Sequence, residues 1–417
     1  MDNSEVISDH LPWPRIIALV DMNSFFASIE QMDQPELFGQ PIAVTNGIQG
    51  TCIITCSYEA RYWGIKTGMR LKEARKLCPD LIQRPSRPKR YAEISIKIMQ
   101  GLNKMTPDIE VYSVDEAFLD MTRCQKIMDS PETLAQQIKE LVFELSGLPC
   151  SIGISGDKTT AKYAAKQNKP NGITIVHPSK SESTLDDVPV TDLCGIAKGI
   201  GGFLQSYGVY TCGDMKNIPI SLLGKHFGHP GRRIWLMAQG KDPEKIHTHI
   251  AEPKSIGHGK VMPPNTKDIQ TIKTYLQHMS EKVGSRLRRH NLKASKFYIG
   301  FRSKHGWLGQ KMHSQYPTDD GICIMKLGQS LIHQQWDGEG ISQIQVTAIK
   351  PNKANQQINF FENQEKKNHS DKKNKILDCI NERYGDLTIA PSNLIHRSSM
   401  PDVIAPAWKP SGHRRTI

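Results

Sequence analysis

The chain has 417 residues, which is enough for two to four domains with ordinary hydrophobic cores. Its 54 lysines and arginines exceed its 42 acidic residues and give a formal net charge of +12, which indicates a polyanionic partner. No apolar run reaches the roughly 20 residues of a membrane span, and the nine cysteines lack zinc-ligand spacing, so we expect a cytoplasmic protein with free thiols.

Residues 1–14 form a polar lead-in without the apolar core of a signal peptide. An apolar run at 16–20 then predicts a buried strand that ends on Asp21, and Asn23 and Ser24 signal the start of a helix to about residue 32. An acid at the end of a buried strand, next to the free amides of a helix N-terminus, suits a metal-bound polyphosphate.

The segments between residues 35 and 86 are short and lightly apolar. Strands are predicted at 42–45 and 52–56, joined through an Asn-Gly turn, and helices are predicted from Ser57 and at 72–77. The first of these helices places Tyr58 and Arg61 on one face, at positions i and i+3. This spacing alone is more typical of surface residues than of a binding site.

Two adjacent acids, Asp115 and Glu116, interrupt an apolar run at 111–119. Charged residues are rarely buried unless they are paired or hold a metal. Neighbours on a strand point to opposite faces, so both acids can serve one site only at a strand end or tight turn. The alternative is that one faces solvent and the other caps a turn. With Asp21 added, the three carboxylates could hold two divalent cations roughly 3.5–4 Å apart.

From residue 87 to 177 helices are predicted at 91–105, 131–145 and 159–167, with strands at 151–154 and 173–176. Together with the first strand and the acidic hairpin they predict a ferredoxin-like α+β domain, with helices on one face of an antiparallel-rich sheet. Lys169 lies in an Asn-Lys-Pro-Asn-Gly stretch, where Pro170 and Gly172 alone indicate only a turn.

Two later segments suit a polyanion. The glycine-rich stretch 194–201 could offer backbone amides to a phosphate. The candidates there are Gly195, Ala197, Gly199 and Gly201. Residues 252–316 contain thirteen lysines and arginines against three acids, where a solvated helical face would carry interspersed acids. We expect phosphate contacts, largely indifferent to sequence, from Lys254, Lys260, Arg286, Arg288, Arg289 and Arg302.

The last segment begins after a predicted strand at 343–349. A polar, charged run at 362–375 is predicted to be a disordered linker. A short helix is predicted at 376–384, ended by Gly385, and prolines break the remainder into extended pieces. No function follows from this tail.

Six motifs resemble, in their order and spacing, those of the Y-family or translesion DNA polymerases of the DinB/UmuC type. They are Val-Asp-Met-Asn-Ser-Phe-Phe-Ala-Ser-Ile-Glu at 20–30, Ser-Tyr-Glu-Ala-Arg at 57–61, Gly-Ile-Lys-Thr-Gly-Met at 64–69, Ser-Val-Asp-Glu-Ala-Phe-Leu-Asp at 113–120, Ser-Ile-Gly-Ile-Ser at 151–155 and Asn-Lys-Pro-Asn-Gly at 168–172. Any one motif is weak evidence, but the ordered set is specific. The resemblance spans residues 15–350.

The resemblance implies an α+β right-hand polymerase with a ferredoxin-like palm. Its parts are an N-terminal extension at 1–14, a palm at 15–24 and 87–177, small fingers at 25–86, a helical thumb with a helix-hairpin-helix at 178–250, a little finger at 251–355, and a clamp-binding peptide, linker and tail at 356–417. Where the family usually has Gly-Ile-Gly in the hairpin turn, this chain has Gly-Ile-Ala at 195–197. Gly199 and Gly201 are then the remaining glycines for a phosphate contact.

The resemblance also implies a metal site. Asp21, Asp115 and Glu116, with the carbonyl of Met22, would hold two Mg²⁺ ions for nucleotide transfer to a primer 3′-OH.

A nucleotide site is implied beside it. Tyr58, Arg61 and Lys169 would hold the triphosphate, and Ser24 and Phe25 would lie next to the nucleotide. Phe26 would be a steric gate that excludes a ribose 2′-OH. The alternative is that Phe25 and Phe26 are core residues of their helix.

The stretch 357–361 resembles the sliding-clamp-binding peptide of bacterial polymerases. The residues that carry this resemblance are Gln357, Ile358, Phe360 and Phe361. Exposed apolar anchors beside a flexible segment suit docking into a groove. The alternative is a last edge strand of the little finger.

The sequence therefore predicts a monomeric, low-fidelity DNA polymerase for translesion synthesis, with primer-template DNA, dNTP and a sliding clamp as partners. Two other classes stay open. A catalytically inactive relative that binds DNA or partner proteins is disfavoured by the retention of all three acids. A nucleotide cyclase on a similar palm is disfavoured by the basic segment, because a cyclase does not hold a duplex.

Overall fold

The structure, a computed structural model, describes residues 13–48, 50–127, 130–249, 252–353 and 364–397. They divide into two units along the chain, one formed by residues 13–249 and the other by residues 252–397. No helix in these ranges is both long and apolar enough to cross a membrane.

The first unit mixes strands and helices along its length. Its strands are β1 (Ile17–Met22), β2 (Ile42–Thr45), β3 (Ile53–Cys56), β4 (Ile82–Pro85), β5 (Ile109–Val111), β6 (Glu116–Asp120), β7 (Cys150–Ser155) and β8 (Ile173–Ile175). Its helices are α1 (Phe25–Asp33), α2 (Tyr58–Tyr62), α3 (Leu71–Leu77), α4 (Pro88–Met105), α5 (Pro131–Ser146), α6 (Lys158–Gln167), α7 (Ser181–Leu185), α8 (Lys198–Gln205), α9 (Ile220–Phe227) and α10 (His229–Met237). The predicted elements are present with shifted ends, and β1 continues through Asp21 and Met22.

A five-stranded sheet in the order β5-β6-β1-β7-β8 forms the centre of this unit. Strand β1 is antiparallel to both β6 and β7, and all six of its residues are buried. One face, with Ala18 and Val20, packs in the core with α4 and α5, whereas Ile17 and Leu19 pack against α6. The prediction of helices on one face alone is therefore wrong, because a strand that is apolar on both faces needs a cover on each.

Helix α6 lies very close to the sheet because of one glycine. A Cβ atom on Gly153 of β7 would come within 2.1 Å of the Ala161 carbonyl and 2.3 Å of the Ala165 nitrogen. Any larger residue at 153 would push α6 away from the sheet, and with it the lysines that α6 carries.

The predicted fingers and thumb have small cores of their own. In the fingers, β2 pairs with β3 and β4, and the buried residues include Ile53, Ile65 and Leu71. The segment 178–249 is helical around Leu204 and Leu223, and a 3₁₀ turn (Val190–Asp192) lies just before the glycine-rich turn.

The second unit is a four-stranded sheet with two helices packed in its core, followed by a third helix. Its strands are β9 (Ser255–Thr266), β10 (Leu292–Ser303), β11 (Gly306–Thr318), β12 (Ile341–Ile349) and the short β13 (Asn352–Lys353). Its helices are α11 (Ile269–Arg289), α12 (Gly321–Gln335) and α13 (Gln364–Tyr384). The main sheet has the order β11-β10-β12-β9.

Helix α13 contradicts the prediction of a disordered linker at 362–375, since the described residues are helical from Gln364. The helix docks through charge. Asp378 accepts two hydrogen bonds, of 2.6 and 2.8 Å, from Arg288 of α11, and Asp371 lies 3.3 Å from Lys293. Hydrophobic periodicity cannot reveal a helix that is held by ion pairs and by good helix formers rather than by an apolar stripe.

Candidate active site

The three predicted carboxylates lie together at one end of the central sheet. Asp21 is the fifth residue of β1 and Glu116 is the first residue of β6, and the antiparallel register places them opposite each other. The bend before β6 carries Asp115, whose carbonyl accepts a hydrogen bond of 2.9 Å from the N–H of Met22. The adjacent acids Asp115 and Glu116 therefore lie at the start of a strand. This is the position that allows both of them to face one site.

Burial and crowding disfavour the ionised state of these acids. The pKa of Asp21 is raised to about 6, chiefly by burial and also by the carboxylates of Glu116 and Asp115, against the opposing charge of Lys169. Burial likewise raises the pKa of Asp115, although the Ser113 hydroxyl donates a hydrogen bond of 2.5 Å to its carboxylate. A buried group of like charges is stabilised by cations.

Two lysine ammonium groups contact the carboxylates. Lys169 Nζ is 2.5 Å from Asp21 Oδ1, and Lys162 Nζ is 2.5 Å from Glu116 Oε1. Within the described part of the chain, no three His, Cys, Asp or Glu side chains form a ready-made metal cage. The donor set nonetheless fits Mg²⁺, because carboxylate and carbonyl oxygens are its preferred ligands and the lysines mark where positive charge is stabilised.

A cavity of about 270 Å³ opens beside the carboxylates. It is lined by Asp21, Met22, Ser24, Phe25, Phe26, Ile54, Thr55, Arg61, Thr67, Asp115 and Lys169. These residues come from β1, the start of α1, strand β3, helix α2 and the loop after it, the bend before β6, and the turn after α6. Most residues predicted to bind metal or nucleotide are thus brought together, whereas Glu116 and Tyr58 do not line the cavity. Thr55 and Thr67 are lining residues that sequence reasoning missed, since a lone threonine carries no signal.

The N-terminus of α1 opens onto this cavity. Ser24 occupies the N-cap position of α1 with a left-handed φ of +45°, but its buried Oγ has no hydrogen-bond partner among the described residues. An unpaired buried hydroxyl is costly, so a ligand oxygen is its natural partner. The first N–H groups of an α-helix lack partners within the helix, so the start of α1 also favours an anion.

Phe26 lies flat against a second aromatic ring. Its ring is stacked on Tyr91 of α4 with centroids 4.2 Å apart and planes 12° apart. The Tyr91 hydroxyl donates to Glu30 Oε1 at 2.8 Å, and Glu30 itself is fully buried. Phe26 therefore packs on the core with one face and lines the cavity, while Phe25 is 2% exposed.

The two predicted phosphate contacts from the fingers share one helix face. Ser57 caps α2 by accepting a hydrogen bond from the Ala60 N–H, as the sequence predicted for the helix start. The Arg61 guanidinium lies 4.9 Å from the centroid of the Tyr58 ring. Arg61 lines the cavity, whereas Tyr58 does not.

Lys162 and Ser113 were not singled out from the sequence. Lys162 is largely buried, with its ammonium between Glu116 and the face of the Tyr112 ring, 4.4 Å from the centroid. A signal existed, because Lys158 and Lys162 lie at i and i+4 on the alanine-rich face of α6. A lysine on the buried face of a helix needs a carboxylate partner.

The four residues predicted to offer backbone amides to a DNA phosphate near the start of α8 differ in exposure. Gly195, Ala197 and Gly199 are exposed, and Gly195 has a φ of +90°. Gly201 is instead buried against Thr191, and its N–H donates to the Ala197 carbonyl at 2.8 Å. Since that amide is already bonded, Gly201 is withdrawn from the proposed phosphate contacts.

The basic residues of the second unit that were predicted to contact DNA phosphates also differ in exposure. Three are exposed: Lys254, Arg289 and Arg302. Lys260 is only 6% exposed, Arg286 donates to the Gly257 carbonyl at 3.0 Å, and Arg288 is paired with Asp378. Lys260 and Arg288 are therefore withdrawn as phosphate contacts. Arg286 stays a prediction.

The proposed clamp peptide lies outside the described residues. Gln357, Ile358, Phe360 and Phe361 fall in the range 354–363. The prediction for them rests on the sequence alone.

Comparison with known families gives two matches that together span most of the chain. Residues 20–166 match the model described as the impB/mucB/samB family. Residues 253–360 match the impB/mucB/samB family C-terminal domain.

Individual relatives agree with these matches. The chain is 33% identical over 400 residues to a protein named DNA polymerase IV from Clostridium kluyveri, covering 92% of this chain and 99% of that protein. It is 38% identical over 279 residues to a DNA polymerase IV from Shewanella woodyi, covering 66% and 76%. Among solved structures, a Y-family DNA polymerase chimera, Dbh-Dpo4(243-245)-Dbh, superposes with a TM-score of 0.69 at 26% identity, covering 80% of this chain and 98% of the chimera.

Proposed function

The chain belongs to the impB/mucB/samB family and is a Y-family, DinB-type DNA-directed DNA polymerase, and we propose that it synthesises DNA at the cavity beside Asp21. Low-fidelity translesion synthesis is the activity of this class. The observation that supports the location is the meeting of Asp21, Asp115 and Glu116 at one sheet end, next to a cavity with Arg61 and Lys169.

The carboxylates of Asp21, Asp115 and Glu116, with the carbonyl of Met22, would hold two Mg²⁺ ions. When bound, the ions would activate the primer hydroxyl and neutralise the leaving pyrophosphate. The protein side chains would hold the reacting groups in line. Lys162 and Ser113 would keep Glu116 and Asp115 oriented through the hydrogen bonds they already make.

The triphosphate would lie between two elements. Lys169 would exchange Asp21 for a phosphate oxygen as the ions arrive, and Arg61 would approach from the fingers. Tyr58 would donate a hydrogen bond from its hydroxyl, and Ser24 Oγ and the first backbone N–H groups of α1 would donate to the remaining phosphate oxygens. The unpartnered Ser24 hydroxyl supports this assignment.

The sugar of the nucleotide would lie over the Phe26 ring, and Phe25 would pack next to the sugar. A ring that is stacked on Tyr91 cannot retreat into the core, so a ribose 2′-OH would clash with it.

Primer-template DNA would contact the exposed amides near Gly195, Ala197 and Gly199 and the exposed Lys254, Arg289 and Arg302, through phosphates. A sliding clamp would bind residues 357–361. We place the protein in the cytoplasm as a monomer.

Primer extension tests this function. Wild-type protein with Mg²⁺ and four deoxynucleotides should extend a primer on an intact template and on one with an abasic site. Asp115→Ala and Glu116→Ala should abolish extension on both and leave the Kd for primed DNA nearly unchanged. Glu144→Ala, which removes an exposed carboxylate of α5, should behave as wild type.

Wild-type protein that binds primed DNA in a salt-sensitive way but adds no nucleotide would overturn the proposal in favour of a DNA-binding factor. Loss of DNA binding in Asp115→Ala would instead point to a structural role for this acid.

A further inference from the structure

Asn23 is a buried side-chain amide that contacts three separate parts of the site, and it is 2% exposed. Its Nδ2 donates to Ser151 Oγ at 2.9 Å and to the Tyr58 hydroxyl at 3.4 Å. Its Oδ1 accepts from the backbone N–H of Asn171 at 2.8 Å. The backbone donor fixes which end of the amide is the oxygen, so these roles cannot be exchanged by a flip.

Two of the three partners belong to elements that carry a proposed nucleotide contact, and the third, Ser151, belongs to β7. Tyr58 is itself one of these contacts, and Asn171 lies two residues after Lys169. Asn23 lies two residues after Asp21. One amide thus joins the end of β1, the helix α2 and the turn after α6.

Ser151 extends the same connection. Its Oγ accepts the N–H of Gly172 at 3.4 Å in addition to Asn23. The turn that carries Lys169 is therefore tied to β1 at Asn171 and to β7 at Gly172.

The turn needs such support. Asn171 has a φ of +56°, a conformation that a non-glycine residue holds at some cost unless its surroundings favour it. Without Asn23, the N–H of Asn171 would lose its acceptor, and the buried hydroxyl of Ser151 would lose a donor. Both losses favour a shifted turn, and Lys169 would shift with it.

We propose that Asn23 is a positioning residue for nucleotide binding, which holds the Lys169 turn and the Tyr58 hydroxyl in place relative to Asp21 before the nucleotide arrives. The inference rests on the proposed function, because Lys169 and Tyr58 have a task only if a triphosphate binds there. Asn23 itself does not touch the substrate. It acts by preorganising groups that do.

Steady-state kinetics of single-nucleotide addition test it. Asn23→Leu keeps a similar volume and removes every hydrogen bond of the side chain. The KM for dNTP should rise about tenfold, the equivalent of one buried hydrogen bond. The kcat should fall less, and the Kd for primed DNA should stay unchanged.

Two matched variants separate positioning from general stability. Asn23→Asp keeps an acceptor for the Asn171 N–H, and Ser151 can turn its hydroxyl to donate, so this variant should restore most of the wild-type KM. Gln239→Leu removes another buried amide of the same unit, one that donates to the Trp235 carbonyl, and should leave the KM unaffected.

A double-mutant cycle tests whether Asn23 changes the KM through Lys169. Lys169→Ala alone should raise the KM. If Asn23 acts through Lys169, the double variant Asn23→Leu with Lys169→Ala should raise the KM by clearly less than the product of the two single effects. In nucleotide-free protein, the amide of Asn171 should exchange hydrogen faster in Asn23→Leu than in wild type.

The outcomes are distinguishable. An unchanged KM in Asn23→Leu, with a raised KM in Lys169→Ala, would overturn the inference and leave the proposed function intact. An unchanged KM in Lys169→Ala and in Tyr58→Phe would overturn the proposed triphosphate site and this inference with it. If Asn23→Leu does not fold, Ser151→Ala gives the same comparison with a smaller loss, and an unchanged KM there would count against the inference.

Discussion

Asp21 and Glu116 are direct partners across the antiparallel strands β1 and β6, so two acids project from the same face where the sheet ends. Like charges placed opposite each other in a sheet are destabilising. Lys169 and Lys162 each neutralise one of the pair. This arrangement costs stability in the metal-free protein, as expected if the acids bind the cations that we propose.

Asp21→Asn should stabilise the metal-free protein at pH 7–8, by up to about 2–3 kcal/mol. The pKa of Asp21 is raised to about 6, above its value of roughly 3.9 in an unfolded chain. The wild-type protein should therefore gain stability as the pH falls from 7 towards 4, and its difference from the variant should shrink. Urea unfolding at several pH values, in the presence of a chelator, measures the free energy of unfolding of the wild type and of the variant. Added Mg²⁺ should stabilise the wild type more than the variant.

A variant less stable than wild type at pH 7 would contradict this prediction. It would mean that the ion pair with Lys169 outweighs the burial of Asp21.

Phe26→Ala should admit ribonucleotides. Removal of the ring opens space under the sugar, and a steric discrimination of this size is worth roughly 10- to 200-fold in kcat/KM. The ratio of kcat/KM for dNTP to that for rNTP measures it. Phe26→Tyr keeps the ring and should keep the ratio. Unchanged sugar selectivity in Phe26→Ala would remove the gate assignment.

Asp378→Ala should release helix α13 from α11. The substitution leaves Arg288, whose side chain is 13% exposed, without its paired carboxylate, at a cost on the order of 2 kcal/mol. Hydrogen exchange along 364–384 should become faster. Glu382→Ala, which removes an exposed acid of the same helix, is the control. Equal protection in both variants would show that Asp371 and its partner suffice to hold the helix.

Replacement of Phe360 and Phe361 by alanine should abolish stimulation by a sliding clamp. Synthesis without the clamp should be unaffected, because these side chains would act only as anchors in the groove of the partner. Primer extension with and without the clamp measures both effects. Ile395→Ala, at an exposed position outside the peptide, is the matched control. Stimulation that survives would place the docking peptide elsewhere.

The sequence was sufficient to predict those parts of the candidate site that depend on the geometry of a single strand or helix. The adjacency of Asp115 and Glu116 required a strand start, and the structure has one. The spacing of Tyr58 and Arg61 required a shared helix face, and their side chains are in contact. In both cases neighbours along the chain determine the outcome.

Residues whose role depends on distant partners could not be recognised in this way. Asn23 looks like an ordinary helix-start residue, and only the packing of β7 and of the turn after α6 supplies Ser151 and Asn171 as its partners. Helix α13 was wrongly predicted to be disordered over most of its length for a related reason. Its stability depends on basic residues of α11 and β10 that lie far away in sequence.

The position of β1 in its sheet has a consequence for the protein during synthesis. β1 ends at residue 22, but both of its neighbours come later, with β6 starting at residue 116 and β7 ending at residue 155. At roughly 5–20 residues per second, the growing chain leaves an apolar strand with two unpaired edges for on the order of ten seconds. Until β6 and then β7 have been synthesised, the nascent chain therefore presents an apolar strand edge that favours aggregation.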